Sequence, residues 1–267
     1  MKQVLNVILT HQAPSKVARM LDWWRKVAAD GNILLAYGGP LETMAEIEFG
    51  PKLFVDDKRL RTSHHQRETQ SYGGVFREVA GWLKGRDYSH VYVAEYDHLP
   101  LIEDLNVRQL DLLQKEGADV LGHELLRIDR TNHPLYLYNT SQPDFVPYWR
   151  SVSKRKDPTV ALSMFGSGSF WTRECFEVVA AVEEPFPIYL ELWLPTLAHH
   201  LGFRVRDFGD QNRFIRPVGD LESQITAAWQ AGAWTLHPVK RLWNQERSET
   251  LDELTRMRAA SRDCRPA

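Results

Sequence analysis

The chain has 267 residues, and its 33 Lys and Arg against 35 Asp and Glu leave a net charge of −2, so no global basic field draws it to nucleic acid or anionic lipid. With 43% hydrophobic and 25% charged residues it is neither disordered nor fibrous, and its length suits one large α/β domain or two small ones. Cys175 and Cys264 lack metal-pair spacing, and no stretch reaches the roughly 20 apolar residues of a membrane span.

The first apolar run is interrupted by Asn6 and has no small-residue cleavage site, so the expectation is a cytoplasmic protein without a signal peptide. Val4 to Thr10 reads as a buried strand. Val17, Met20, Leu21, Trp24 and Val27 then fall at helical spacing, with Ser15 as the expected cap and Asp30-Gly31 as the stop. Residues 33–37 and 53–55 read as strands, closed by Gly38-Gly39-Pro40 and by Asp56-Asp57. A helix is expected over 66–84, a strand over 90–94, a helix over 107–115 and a strand over 118–122. The opening alternation of strands and helix predicts an α/β fold with an open, mostly parallel twisted sheet flanked by helices.

Residues 124–159 lose periodicity and are rich in Asn, Pro, Tyr and Arg, which predicts a long, partly ordered insertion for acceptor binding or a lid. Regularity returns with the Gly-rich segment 166–173 and a helix over 174–182. A second helical stripe, Leu194, Leu197 and Leu201, stops at Gly202 before a strand over 203–205. Residues 234–239 read as a short strand or extended loop, and 244–261 as a polar terminal helix. The expected organisation is one domain over 1–240 and a helical tail over 241–267, packed on it or used for self-association as a homo-oligomer.

Chemistry concentrates in VYVAEYDHLP, residues 91–100, where Glu95 and Asp97 stand one residue apart just past an apolar strand. Two carboxylates so spaced suit a hard divalent ion supplemented by phosphate oxygens, although surface acids at a strand end are the plainer reading. Their place at the carboxyl end of a central strand is where open α/β sheets collect ligands.

The motif Glu95-Tyr96-Asp97 resembles the acid-x-acid element of GT-A nucleotide-sugar glycosyltransferases, with Glu where Asp is commoner. In that class it holds a metal and the donor diphosphate. GSGSFWTRECFEVV, residues 166–179, resembles the strand-to-helix segment lining the acceptor side in family-2-like members, which implicates Gly166, Ser167 and Gly168; a Gly-rich turn before a helix is the alternative. Those enzymes place a general base about three turns before a helix-closing Gly, and counting back from Gly202 reaches Glu191. Leu190 occupies the position of the partner acid. Glu191 also fits as a first-turn acid favoured by the helix dipole.

A late His completes the metal shell in many such enzymes, with a basic residue near the diphosphate, which implicates His237 and Lys240; a structural His is the alternative. His11 and Asp56 or Asp57 fall where base and ribose contacts are expected in the class, and Arg67, in the basic run that opens the helix over 66–84, fits an anion site at a helix N-terminus; a solvated charged turn is the equal alternative. The resemblance thus implies Glu95, Asp97 and His237 around Mn²⁺ or Mg²⁺, a UDP- or GDP-sugar donor, an acceptor hydroxyl activated by Glu191, and inversion at the anomeric carbon. Alternatives are a metal-dependent nucleotidyltransferase, whose Gly-rich basic signature is missing after the first strand, and a catalytically silent carbohydrate- or protein-binding domain of the same fold. No P-loop, dinucleotide fingerprint or nucleophile elbow occurs.

Overall fold

A computed structural model describes residues 3–28, 31–57, 60, 72–128, 141–217, 224–244 and 248–263. The first strand, β1 (Val4–Thr10), is buried along its whole length, as befits a central parallel strand covered on both faces. Its side chains alternate: Leu5, Val7 and Leu9 enter one apolar cluster, Val4 and Ile8 the other. Helix α1 (Pro14–Val27) buries Val17, Met20, Leu21, Trp23, Trp24 and Val27 and carries Arg25 and Lys26 in its last turn, where the dipole favours cations. Ser15 is not its cap. Pro14 takes the first helical turn, with Ala13 at the N-cap and no side-chain cap bond, because a proline whose φ is already helical needs no N–H there.

Strand β2 (Asn32–Tyr37), a short α2 (Leu41–Ala45) and β3 (Lys52–Phe54) complete the first half of the sheet. Helix α3 (Gly73–Leu83) covers the second part of the helix expected over 66–84; residues 61–71, Arg67 among them, lie outside the described residues. Then follow β4 (His90–Glu95), β5 (Leu99–Pro100), α4 (Leu105–Lys115), β6 (Val120–Gly122) and β7 (Leu126–Ile128). Part of the region expected to be irregular is regular: α5 (Phe145–Val152) seats Phe145 and Trp149 in the core, one helical turn apart. Residues 129–140 are outside the described set.

The remaining elements are β8 (Ala161–Ser163), β9 (Ser169–Thr172), α6 (Arg173–Ala180), α7 (Leu190–His200), β10 (Val205–Asp207), a 3-10 turn Gly209–Phe214, α8 (Ile225–Gln230), β11 (Thr235–Leu236) and α9 (Ser248–Asp263). The sheet runs β10-β6-β9-β4-β1-β2-β3. All its pairings are parallel except those of β9, which runs antiparallel between β4 and β6. This is the open, mostly parallel sheet with flanking helices that the sequence predicts. Leu242, Trp243 and Leu254 are buried in the same cluster as α1, so the segment past residue 240 contributes to the core. No helix among the described residues is long and apolar enough to cross a membrane.

Two connections position the candidate site. Strand β5 starts two residues after Asp97 and pairs antiparallel with β11, Leu99 opposite Leu236, which brings His237 back alongside His98. The Val239 N–H donates to the Asp97 carbonyl at 2.9 Å, and Trp243 Nε1 donates to the Tyr96 carbonyl at 2.7 Å, fixing that return. In α7, Pro195 has no N–H to give the Glu191 carbonyl four residues back. The Met164 N–H bonds that carbonyl instead, at 2.9 Å, and Thr196 Oγ1 exchanges bonds of 2.9 and 3.0 Å with Leu162. A proline that would weaken an isolated helix here ties its first turn to the segment leading into Gly166.

Candidate metal centre

Because β9 is antiparallel, its start and the ends of β4, β6 and β10 share one edge of the sheet. Glu95, Asp97 and His237 meet there, each offering one ligand atom within 4.8 Å of the others. Asp97 and His237 are buried, 1% and 6% exposed, and Glu95 is half-buried. His237 Nε2 lies 3.3 Å from Asp97 Oδ1, yet neither atom, nor His237 Nδ1, makes a hydrogen bond among the described residues. An imidazole lone pair and a carboxylate oxygen repel at that distance unless a proton or a cation lies between them. The orphaned oxygen and nitrogen, with a second carboxylate beside them, fit a divalent ion.

The surroundings hold these groups in place. Tyr72 OH donates to Glu95 Oε1, and the Glu95 N–H donates to Ser167 Oγ at 2.9 Å. Ser167 Oγ is also 3.1 Å from His98 Nδ1, so one hydroxyl ties the first acid to the histidine after the second. Gly168 has φ +80°, and a Cβ there would lie 2.4 Å from His98 Cε1, so both conformation and space call for glycine. At Gly166 a Cβ would meet Leu190 Cδ1 at 2.4 Å, and the Gly166 N–H points at Glu191 Oε1 over a long 3.4 Å.

Sequence reasoning missed two histidines. His98, fully buried, lies with its ring 5.4 Å from that of His237 and 5.9 Å from that of His123, which stacks on Phe208 at 4.3 Å. Burial pushes His98 well below the usual histidine range, reinforced by the neighbouring rings of His237 and His123. Burial likewise pushes His123 down to about 3, against a 3.1 Å hydrogen bond with Asn212 Oδ1 that works the other way. Both imidazoles are therefore neutral near pH 7. His98 belongs to the acidic motif itself, and His123 directly follows a strand at the same edge; those positions were the available signal.

The other expected residues among those described are not part of the converging trio. His11 follows β1 with its ring edge-on to Tyr96 at 5.6 Å. Asp57 follows β3 beside the start of α3, where a Cβ on Gly74 would lie 2.9 Å from its Oδ2. Lys240 is exposed three residues past His237, and Arg67 is outside the described residues.

No protein-family model and no curated protein matches the chain. Solved structures with a similar arrangement include the bifunctional IspDF of Campylobacter jejuni, at 10% identity and TM-score 0.43, matched over 79% of this chain and 51% of that one. The chain thus spans about half the length of that protein. TarS 1-349 of S. aureus matches at 11% identity and TM-score 0.42, over 87% and 66% of the two chains. Core-mannan synthase A of Aspergillus fumigatus, in a Mn/GDP form, matches at 10% identity and TM-score 0.39, over 79% and 73%. Likeness this distant transfers no residue and no activity to this chain.

Proposed function

We propose that the chain is a metal-dependent glycosyltransferase that takes a sugar from a nucleotide-diphosphate-sugar and passes it to an acceptor hydroxyl with inversion. The observation that carries this reading is the convergence of Glu95, Asp97 and His237, with Asp97 Oδ1 and the His237 ring nitrogens buried and unpartnered. These three residues would hold Mn²⁺ or Mg²⁺. Bound there, the ion supplies Lewis-acid charge against a departing diphosphate.

The chain's own groups take the remaining roles. Tyr72 and Ser167 fix Glu95 from its carboxylate and its backbone, and the Val239 N–H fixes the loop at Asp97. His11, Asp57, Arg67 and Lys240 contact the donor. Gly166 to Gly168, packed closely on Leu190 and His98, line the acceptor side, and Glu191, in the first turn of α7, takes the acceptor's proton.

The test is a panel of UDP- and GDP-sugars incubated with Mn²⁺, scored by release of the nucleoside diphosphate. At least one donor should be consumed, and EDTA should abolish the release. Glu191→Gln should cut transfer roughly 10²- to 10⁴-fold while leaving donor binding intact. Donor release that continues undiminished in EDTA would sink the metal role, and a Glu191→Gln variant with normal transfer would sink the base.

A further inference from the structure

Among the described residues, two other than glycine have a left-handed backbone: Glu124, φ 52°, and Arg216, φ 53°. L side chains rarely adopt that conformation, and it is held only where surrounding contacts over-determine it. The two residues meet, Arg216 Nη2 donating to Glu124 Oε2. Their backbones are pinned separately. The Glu124 N–H donates to Asn212 Oδ1 at 3.1 Å and the Arg216 N–H to the His237 carbonyl at 2.8 Å.

The Arg216 guanidinium lies 5.0 Å over the Phe165 ring, and that ring is 4.9 Å from the ring of His237. A cation therefore stands one aromatic ring away from the candidate metal centre. Its side chain is 56% exposed, and an ion pair that open contributes little stability. Phe165 supports the guanidinium from one side and Glu124 takes one of its nitrogens, while its 56% exposure leaves other N–H groups within reach of a dissolved oxyanion.

The side of the sheet tells which substrate it would meet. Strands β1, β2 and β3, with His11 and Asp57 at their ends, lie on one side of β4; Phe165, Glu124 and Arg216 lie on the other, with β9, β6 and β10. We infer that Arg216 binds an oxyanion of the acceptor, a phosphate or a carboxylate, and that Glu124 holds its place until the acceptor arrives. The assignment to the acceptor rests on the function proposed above; the oxyanion site itself does not.

The experiment titrates phenyl phosphate and benzoate, as separate probes, into the full chain in EDTA, with Arg216→Gln, Arg216→Lys and Glu124→Gln measured alongside and their folding checked by thermal unfolding. Arg216→Gln should weaken the better probe about tenfold or more, Arg216→Lys should weaken it less, and Glu124→Gln should strengthen it about threefold by removing the competing carboxylate. A merely structural pair would make Glu124→Gln lose binding together with Arg216→Gln, and that result overturns the inference, as does equal binding by all four proteins. UDP and GDP, each titrated with Mn²⁺ into the unaltered chain, separate the two levels. If neither binds while the opposite shifts persist, the oxyanion site stands and only the reading of the neighbouring centre falls.

Discussion

Among the described residues, buried polar atoms without hydrogen-bond partners occur at several places, and two of these places differ in kind. Between β1 and α4, the side-chain amides of Asn6 and Asn106 are 0% and 1% exposed, with oxygen and nitrogen unpaired on both. They press on Gly31, where a Cβ would lie 2.0 Å from Asn106 Nδ2 and 2.3 Å from Asn6 Nδ2. At the carboxyl edge the unpaired atoms are a carboxylate oxygen and imidazole nitrogens. An amide carries a donor and an acceptor together, so a neutral pair costs stability but gathers no charge. The edge cluster converges acceptors on one point, which is unfavourable until a cation occupies it. Buried polarity alone therefore does not mark a site; convergence of electron-pair donors does.

The largest test of that contrast removes the edge carboxylate. Asp97→Asn should lower Mn²⁺ affinity more than about 100-fold, beyond the usual effect of an outer-shell partner, and should raise the melting temperature of the metal-free chain by removing a buried unpaired charge. Calorimetric titration and thermal unfolding read the two effects. A variant that melts lower and still binds Mn²⁺ would place Asp97 with the structural residues.

Acid should also separate the regions, because the amides do not titrate. His123 has a folded-state pKa of about 3 against an ordinary value near 6.5, so between those pH values the unfolded chain binds the extra proton. Its contribution is complete above pH 6.5 and is lost as pH falls toward 3, at about 1.4 kcal/mol per pH unit, or about 2 kcal/mol at pH 5. His123→Phe, which retains a ring against Phe208, should make that acid limb shallower in urea unfolding, the remainder coming from His98. An unchanged slope would show that His123 does not remain neutral on burial.

A smaller effect is expected from Ser167→Ala. Ser167 joins the Glu95 backbone to His98, and its loss should weaken Mn²⁺ about tenfold without unfolding the chain. The smallest is the control: the double variant Asn6→Val, Asn106→Leu should gain about 1 kcal/mol of stability in urea unfolding and leave Mn²⁺ affinity unchanged. A loss of metal binding there would break the distinction between the two clusters.

Long apolar runs made β1, β2 and β4 legible in the sequence, and helical spacing did the same for α1 and α4. Glu95 and Asp97 could be singled out because their strand was legible, and His237 through a family resemblance. What the sequence hid is the connection between them. Strands β5 and β11 are two residues each, too short to carry a period, and their pairing joins positions more than a hundred residues apart. Pro195 is visible in the sequence, but its effect depends on the distant Met164 N–H. Phe145 and Trp149 stand one helical turn apart, but Pro147 and the loop-like composition around them masked that spacing. Glu124 and Arg216 carry no motif at all; only their backbone conformations and mutual contact single them out.

The most direct test of the centre is a calorimetric titration of UDP and, separately, GDP into the chain in Mn²⁺, repeated in EDTA and with Asp97→Asn. One of the two should bind only when the ion is present, and its binding should be lost in the variant. Equal binding in all three samples, or no binding of either nucleotide in any, would contradict the metal centre.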